Sequence, residues 1–286
     1  MFFFNRSKRL KAELAKAHER IAGLKQDKEA LKSKLVAAKE VLAALRALGI
    51  PLRDLAYNAD GLSVWGKNLD FITEERFARA YERGKRSGHK FTGGEENLHI
   101  EWRVHVCLWA ADQVRHLRGD FVECGVNTGI LSLAICDYLD FNSLGKTFWL
   151  LDTYEGIPME QMSAVEIARG IPENNVQHYF DCFEQVTRNF APFPKARIVR
   201  GMVPDTLPVV TSEEICYLSI DMNIALPEIA AMEHFWPKIV KGGVVVLDDY
   251  GWSGHEAQKV AFDDFARRNG VSILNLPTGQ GLLFKH

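Results

Sequence analysis

The 286-residue chain has no apolar run long enough to cross a membrane, and the apolar stretch at its start is too short for a signal peptide. It also has no Cys-x-x-Cys pair, and its five cysteines are odd in number and lie mostly within apolar segments. These absences argue against export, membrane insertion and a disulfide framework. We therefore expect a cytoplasmic protein with no membrane span, in which the thiols are reduced and buried.

Two nucleotide-binding signatures are missing as well. Gly125 and Gly129 lie in a turn that follows a predicted strand, but Asn127 stands where the GxGxxG fingerprint needs its second glycine. The chain also has no Gly-Lys-Ser/Thr of a P-loop. The absence of both motifs argues against a nicotinamide-dependent oxidoreductase and favours a cofactor without a pyrophosphate. The glycines alone are equally what a tight strand-to-helix turn needs.

The first 50 residues differ from the rest in charge and in pattern. They carry a net charge of +7 against −9 for the remainder, and apolar residues recur in alternating steps of four and three from Leu10 to Leu45, with Lys28 at one seam position. Such a narrow stripe on a lone helix predicts a coiled coil, and hence a homo-oligomer formed through residues 10–45. The alternative, that this helix packs against the rest of its own chain, is not excluded by the pattern. No aromatic residues are interleaved with the basic ones, so we expect no nucleic-acid partner.

The rest of the chain divides into a helical lead-in and a domain in which strands and helices alternate. Gly49 and Pro51 end the first helix, residues 51–118 form the lead-in, and the alternation begins at residue 119. Alternating elements predict an α/β fold with a doubly wound, mostly parallel sheet of seven strands. The last two strands are joined by only five residues, 277–281, which requires an antiparallel pair.

Two of the predicted strands end in acidic residues. Asp221 follows the run 216–220, and Asp248 and Asp249 follow the run 244–247. If these parallel strands are neighbours, three carboxylates meet at the sheet edge where such folds bind ligands. Like charges that close raise one another's pKa unless a cation lies among them. A hard divalent ion is the natural candidate.

A further acid and a long insertion lie at the same predicted edge. Asp152 ends the second strand about twenty residues after the glycine turn, where an acid accepts hydrogen bonds from ribose hydroxyls, although Asp is also a common turn residue. Residues 153–194 are longer than a simple crossover requires, which makes them a candidate lid.

The order and spacing of these motifs resemble the macrocin O-methyltransferase (TylF-like) family of class I S-adenosylmethionine-dependent methyltransferases. The resemblance covers about residues 119–286 and leaves the predicted coiled coil outside. It is carried by GDFVECGV at 119–126, LDTYEGIP at 151–158, PDTLP at 204–208 and GGVVVLDDY at 242–250.

This resemblance implies an enzyme that uses S-adenosylmethionine and Mg²⁺ to methylate a hydroxyl of a small molecule, often a sugar. It implies Asp221, Asp248 and Asp249 as metal ligands, Asp152 as the ribose ligand, and Gly201 and Met202 as neighbours of the adenine. The residues that it places around the methionine part of the cofactor are Glu123, Gly125, Asn127, Thr128 and Gly129.

The chain departs from the family at one position. Members commonly carry an aspartate two residues after the first metal ligand, as the proposed general base, whereas this chain has Asn223, which cannot act as a base near neutral pH. We therefore list Asp221, Asn223 and His255 as catalytic candidates, although a lone histidine near a helix start is more often a surface or capping residue. Tyr154 and Trp252 are candidates for the acceptor site and could equally be core aromatics. A noncatalytic S-adenosylmethionine-binding or scaffold protein, oligomerised through its coiled coil, is the alternative.

Sedimentation of the chain with and without residues 1–50 tests the predicted coiled coil. The full chain should sediment as an oligomer and the truncated chain as a smaller species, because the truncation removes the apolar seam. Equal oligomeric states for the two chains would contradict the prediction.

Overall fold

The computed structural model of the chain describes residues 55–90 and 98–286, together with isolated helical positions between residues 16 and 47. The predicted coiled coil over residues 10–45 lies largely outside the described residues and stays a prediction. Leu24, Leu31 and Leu35, three of its described seam positions, are each more than half exposed.

The chain forms two compact units, one of residues 1–58 and 63–67 and one of residues 59–62 and 68–286. The first unit contains most of a two-stranded hairpin, β1 (Leu55–Ala59) with β2 (Leu62–Trp65). The sequence interpretation missed this hairpin, although Asp60-Gly61 between two apolar runs is a strong hairpin signal.

The second unit is built on a seven-stranded sheet, as predicted. Its strand order is β5-β4-β3-β6-β7-β9-β8, in which the first five strands are parallel and β9 is antiparallel to both of its neighbours. The strands are Asp120–Cys124 (β3), Phe148–Asp152 (β4), Ala196–Arg200 (β5), Ile215–Ile220 (β6), Ile239–Leu247 (β7), Leu274–Asn275 (β8) and Gly281–Phe284 (β9).

Helices cover both faces of this sheet. The first core, which includes Phe121, Tyr217 and Val244, packs against α1, α2, α3 and α6, and the second, which includes Val122, Leu218 and Val245, packs against α7 and α8. Successive strand residues point to opposite faces, so two covered faces explain why the strands read as continuous apolar runs. The helices are Glu75–Lys85 (α1), Glu101–Val114 (α2), Ile130–Tyr138 (α3), Ala164–Ala168 (α4), Ile171–His178 (α5), Phe183–Phe190 (α6), Ala225–Phe235 (α7) and Glu256–Asn269 (α8).

Part of the 153–194 insertion packs into the core of the fold. Its last helix, α6, buries Val186 and Phe190 in the first core, while α4 and α5 precede it. Closure of this segment as a lid stays a prediction. Among the described residues, no helix combines the length and the apolar character that crossing a membrane would take. All five cysteines lie in the described part of the chain and are buried free thiols.

The parallel strands bring their carboxyl ends to one edge. Asp152 ends β4, Asp221 follows β6, and Asp248 follows β7, so all three lie at that edge. Backbone hydrogen bonds join the neighbouring ends, from Asp221 N to the carbonyl of Cys124 at 2.8 Å and from Asp248 N to the carbonyl of Ile220 at 3.0 Å. The pairing of neighbouring strands therefore brings the acidic strand ends together, as the sequence predicted.

Gly125 lies where the first turn approaches the end of β6. Its φ is +89°, and a methyl group on its Cα would overlap the backbone carbonyl of Asp221. We expect Gly125→Ala to lower the free energy of unfolding by about 2 kcal/mol or more, because both the conformation and the space exclude a side chain. Urea denaturation measures the change.

Gly145 provides the matched control. Its φ is +66° and nothing lies within 4 Å of the position that a Cβ would take, so Gly145→Ala should lose only about 1 kcal/mol. Equal losses for the two variants would mean that the close approach to Asp221 does not restrict Gly125.

Candidate active site

The predicted cluster of three carboxylates is present at the sheet edge. One carboxylate oxygen from each of Asp221, Asp248 and Asp249 lies within 4.8 Å of the other two. Burial raises the pKa of Asp221 well above its ordinary value, and repulsion from Asp248 and Asp249 raises it further. Burial likewise raises the pKa of Asp249, to about 6. The cluster is therefore electrostatically unfavourable unless a cation compensates it.

Part of that compensation comes from a partly buried arginine that the sequence interpretation missed. From α2, Arg103 donates through Nη1 to Asp248 Oδ2 at 2.5 Å, and through Nε and Nη2 to the two oxygens of Asp60 at 2.8 and 3.2 Å. Asp60 lies in the tip of the hairpin. The available signal was an arginine in the largely apolar run of α2, but only the fold places it beside the acids.

One guanidinium does not balance four carboxylates. Asp248 also accepts a hydrogen bond at its Oδ1 from Gln280 Nε2 at 2.9 Å, whereas Asp249 Oδ2 is buried without a hydrogen-bond partner among the described residues. Closely grouped carboxylate oxygens, one of them unpartnered, are the ligands that Mg²⁺ prefers. The donor set therefore fits a divalent hard cation.

The loop after β6 carries Asn223 into the same region. Asn223 has a φ of +64°, and its Nδ2 donates to the hydroxyl of Tyr179 at 3.1 Å. Tyr179 comes from the 153–194 insertion and is a second residue that the sequence interpretation missed. The amide of Asn223 is thus held by a tyrosine hydroxyl at the position where the family resemblance implied a carboxylate.

The side chain of His255, which immediately precedes α8, lies near one acid of the cluster, Asp249. Its Nδ1 lies 3.6 Å from Asp249 Oδ2 and 3.1 Å from Gln258 Oε1. The structure therefore brings His255 into the same cavity as Asp221 and Asn223, which come from a different segment. Their catalytic roles stay a proposal.

Two cavities open at this edge and share part of their lining. The first is lined by Gly201, Val203 and the segment after Asp152, and the second contains the acid cluster. The residues common to both cavities are Gly125, Asn127, Asp152, Tyr179, Asp221 and Asn223. A ligand that extended from one cavity into the other would pass this shared rim.

Glu123 and Asp152 present carboxylates to these cavities in different ways. Glu123 lines the second cavity, and its Oε2 is buried without a partner among the described residues. Burial raises the pKa of Glu123 to about 8. Asp152 Oδ2 accepts from the backbone N–H groups of Val126 and Asn127 at 2.6 and 2.7 Å, so it also holds the glycine turn in place.

Three of the residues predicted to bind the cofactor lie outside the described lining of both cavities. The Thr128 hydroxyl pairs with that of Ser87 at 2.8 Å, and a side chain on Gly129 would overlap the ring of Phe190. Met202 is half-buried beside Gly201. Thr128 and Gly129 therefore serve the packing of the turn in this structure.

The two aromatic residues predicted for the acceptor site, Tyr154 and Trp252, differ in their surroundings. Tyr154 is buried in the first core, and its hydroxyl donates to the carbonyl of Leu150 at 2.8 Å, although the residue also borders the first cavity. Trp252 lines the second cavity, with its ring against Gly61 and Gly279 and 5.8 Å from the Arg103 guanidinium carbon. Of the two, Trp252 is therefore the one that lines the cavity containing the acid cluster.

Comparison with known proteins adds independent information. The family described as "Macrocin-O-methyltransferase (TylF)" matches residues 100–274. The chain is 27% identical over 59% of its length to "8-demethyl-8-(2,3-dimethoxy-alpha-L-rhamnosyl)-tetracenomycin-C 4'-O-methyltransferase" of Streptomyces olivaceus, and 25% identical over 54% to "Mycinamicin III 3''-O-methyltransferase" of Micromonospora griseorubida. It spans 66% and 63% of these curated relatives, less than two thirds of each.

A solved structure supports the fold. The structure titled "Structure of the O-methyltransferase NovP" matches with a TM-score of 0.56 at 22% identity, and the match covers 64% of this chain and 79% of that one. At this identity the likeness shows the fold alone. It agrees with the class I methyltransferase-like sheet predicted from the sequence.

The Arg103 ion pairs generate a stability prediction. We expect Arg103→Met to lower the free energy of unfolding by about 3–5 kcal/mol, because it leaves Asp248 and Asp60 without their cation in a buried site. Urea denaturation in the presence of a chelator measures the loss.

Arg79→Met is the matched control, because Arg79 pairs with Asp137 at 2.7 Å while its own side chain is 56% exposed. Such a pair contributes about 1 kcal/mol or less. If the two variants were destabilised equally, Arg103 would not have the compensating role described above.

Proposed function

Because the chain belongs to the macrocin O-methyltransferase (TylF) family, we propose that it is an S-adenosylmethionine-dependent O-methyltransferase that requires Mg²⁺. Its acceptor is a hydroxyl of a sugar-containing or polyol metabolite. The observation that carries the proposal is the shared rim at Asp221 and Asn223, which joins the cavity beside the glycine turn to the cavity that contains the acid cluster.

The proposed donor site uses the chemistry of the two cavities. Glu123 offers a buried, unpartnered oxygen to the ammonium group of the methionine part. The positive charge of that ammonium group would favour the ionised form of the Glu123 carboxylate. Asp152 accepts the ribose hydroxyls, and Gly201 and Val203 border the adenine in the first cavity. Asn127 and Gly125 lie between these two groups, on the shared rim.

The proposed metal site consists of Asp221, Asp248 and Asp249. Mg²⁺ bound there would lower the pKa of an acceptor hydroxyl and hold that hydroxyl beside the methyl donor. Arg103 and Gln280 keep the Asp248 carboxylate in one orientation, since each of its oxygens already accepts one hydrogen bond. The fourth acid, Asp60, is occupied by Arg103 and is not proposed as a ligand.

The proposed acceptor site is the remainder of the second cavity, with Trp252 on its wall. The names of the relatives support a sugar-bearing acceptor, because one names a rhamnosyl substituent and both name transfer to an oxygen. Asn223 cannot take the hydroxyl proton, so His255 is the proposed base. Methyl transfer requires an in-line approach, and the main contribution of these residues is to position the two reactants.

Calorimetry tests the donor and metal sites without knowledge of the acceptor. We expect S-adenosylmethionine to bind the full chain, and Mg²⁺ to bind in a separate titration. Asp249→Asn should weaken Mg²⁺ binding by about 10-fold or more, because it removes a charged ligand, and should leave the donor affinity unchanged.

Asp263→Asn is the control, since Asp263 pairs with Lys259 at 2.7 Å outside the lining of both cavities. No binding of S-adenosylmethionine would contradict the proposed function. Donor binding without Mg²⁺ binding would contradict the metal site and favour the noncatalytic alternative.

A further inference from the structure

A buried glutamine on α8 links the proposed base to the loop that carries Asp221 and Asn223. Gln258 is only 1% exposed and lies outside the described lining of both cavities. Its Oε1 is 3.1 Å from His255 Nδ1, and its Nε2 donates to Glu228 Oε1 at 3.2 Å. A buried amide with a partner at each end has a defined orientation.

The orientation of this amide is determined by Glu228. Glu228 Oε1 accepts a hydrogen bond from the backbone N–H of Met222 at 2.9 Å, so this oxygen acts as an acceptor. Burial raises the pKa of Glu228 to about 8, and above that pH its ionised carboxylate can only accept, so only the NH₂ end of Gln258 can form a hydrogen bond with it. The carbonyl end of the amide must therefore face His255.

A carbonyl oxygen at this distance requires a donor on the ring. His255 Nδ1 must carry its proton to donate to Gln258 Oε1, and the other group near Nδ1, Asp249 Oδ2 at 3.6 Å, is also an oxygen acceptor. In the neutral ring one nitrogen is the donor and the other has the lone pair. The lone pair of His255 is therefore on Nε2.

We propose that Gln258 is a positioning residue that holds His255 as the Nδ1–H tautomer, an assignment that rests on the proposed function for the role of His255 as the base. In the reaction, Nε2 takes the proton from the acceptor hydroxyl while that oxygen gains the methyl group of the donor. The sulfonium of the donor leaves as a neutral thioether. The chain Met222–Glu228–Gln258–His255 ties the base to the loop in which Asn223 replaces the usual carboxylate.

Nitrogen NMR on the full chain with ¹⁵N-labelled histidine tests the assignment, because the two ring nitrogens have different shifts in each tautomer. The spectra are recorded at about pH 9, where an imidazole is neutral, and His255→Gln identifies the signals by their loss. We expect the Nδ1–H form to dominate in the unsubstituted protein. Gln258→Met should lower the ratio of the Nδ1–H to the Nε2–H form by about fivefold or more, the factor that one hydrogen bond contributes.

Gln185→Met is the matched control, since the Gln185 amide donates to Asn189 on α6 rather than to a residue of the acid cluster. It should leave the His255 signals unchanged. An Nε2–H form that dominates in the unsubstituted protein would overturn the inference even if Gln258→Met did not fold, and so would an unchanged ratio in a folded Gln258→Met. The measurement needs no donor, metal or acceptor, so its failure is distinct from a failure to bind S-adenosylmethionine.

Discussion

The concentration of buried carboxylates at the ends of β6 and β7 is the constraint on which the rest of the site depends. Asp221, Asp248 and Asp249 are brought within 4.8 Å of one another by the backbone hydrogen bonds of neighbouring strands. Their repulsion in a buried place has to be compensated. Arg103 compensates part of it through Asp248, and Arg103 is itself held by Asp60 from the hairpin tip. The remaining negative charge is what makes a divalent cation the natural further partner.

The polar groups around this cluster form two sets with different chemistry. Arg103, Gln280 and Asp60 surround Asp248, whereas Glu228, Gln258 and His255 extend from the loop after β6 towards Asp249. The first set contains the charged pair Arg103–Asp60 and bears on ion binding. The second is a chain of directional hydrogen bonds and bears on the direction in which a proton can move. Both depend on residues from α2, α7 and α8 that pack on opposite faces of one sheet.

Much of the fold was predictable because it depends on short-range patterns. Continuous apolar runs indicated strands buried on both faces, and the runs 216–220 and 244–247 lie within strands β6 and β7. The five-residue link 277–281 required the final antiparallel pair, which the structure contains. The hairpin was missed although its Asp60-Gly61 turn was readable. Arg103 and Tyr179 were missed for a different reason, since each meets its partner across several elements and no local spacing indicates the meeting. Gln258 lies only three residues from His255, but its contact with Glu228 joins two separate helices.

The sequence by itself determined the order of the strands and helices, the acids at the strand ends and membership in the macrocin O-methyltransferase family, because these are encoded in runs of neighbouring residues. The tertiary structure alone decided which side chains face those acids. It showed that Tyr154 belongs to the core, that Asn223 is held by Tyr179, and that a partly buried arginine pairs with one acid of the cluster. The physical reason is that charge compensation and hydrogen-bond direction depend on distances of a few ångströms between residues far apart in the chain.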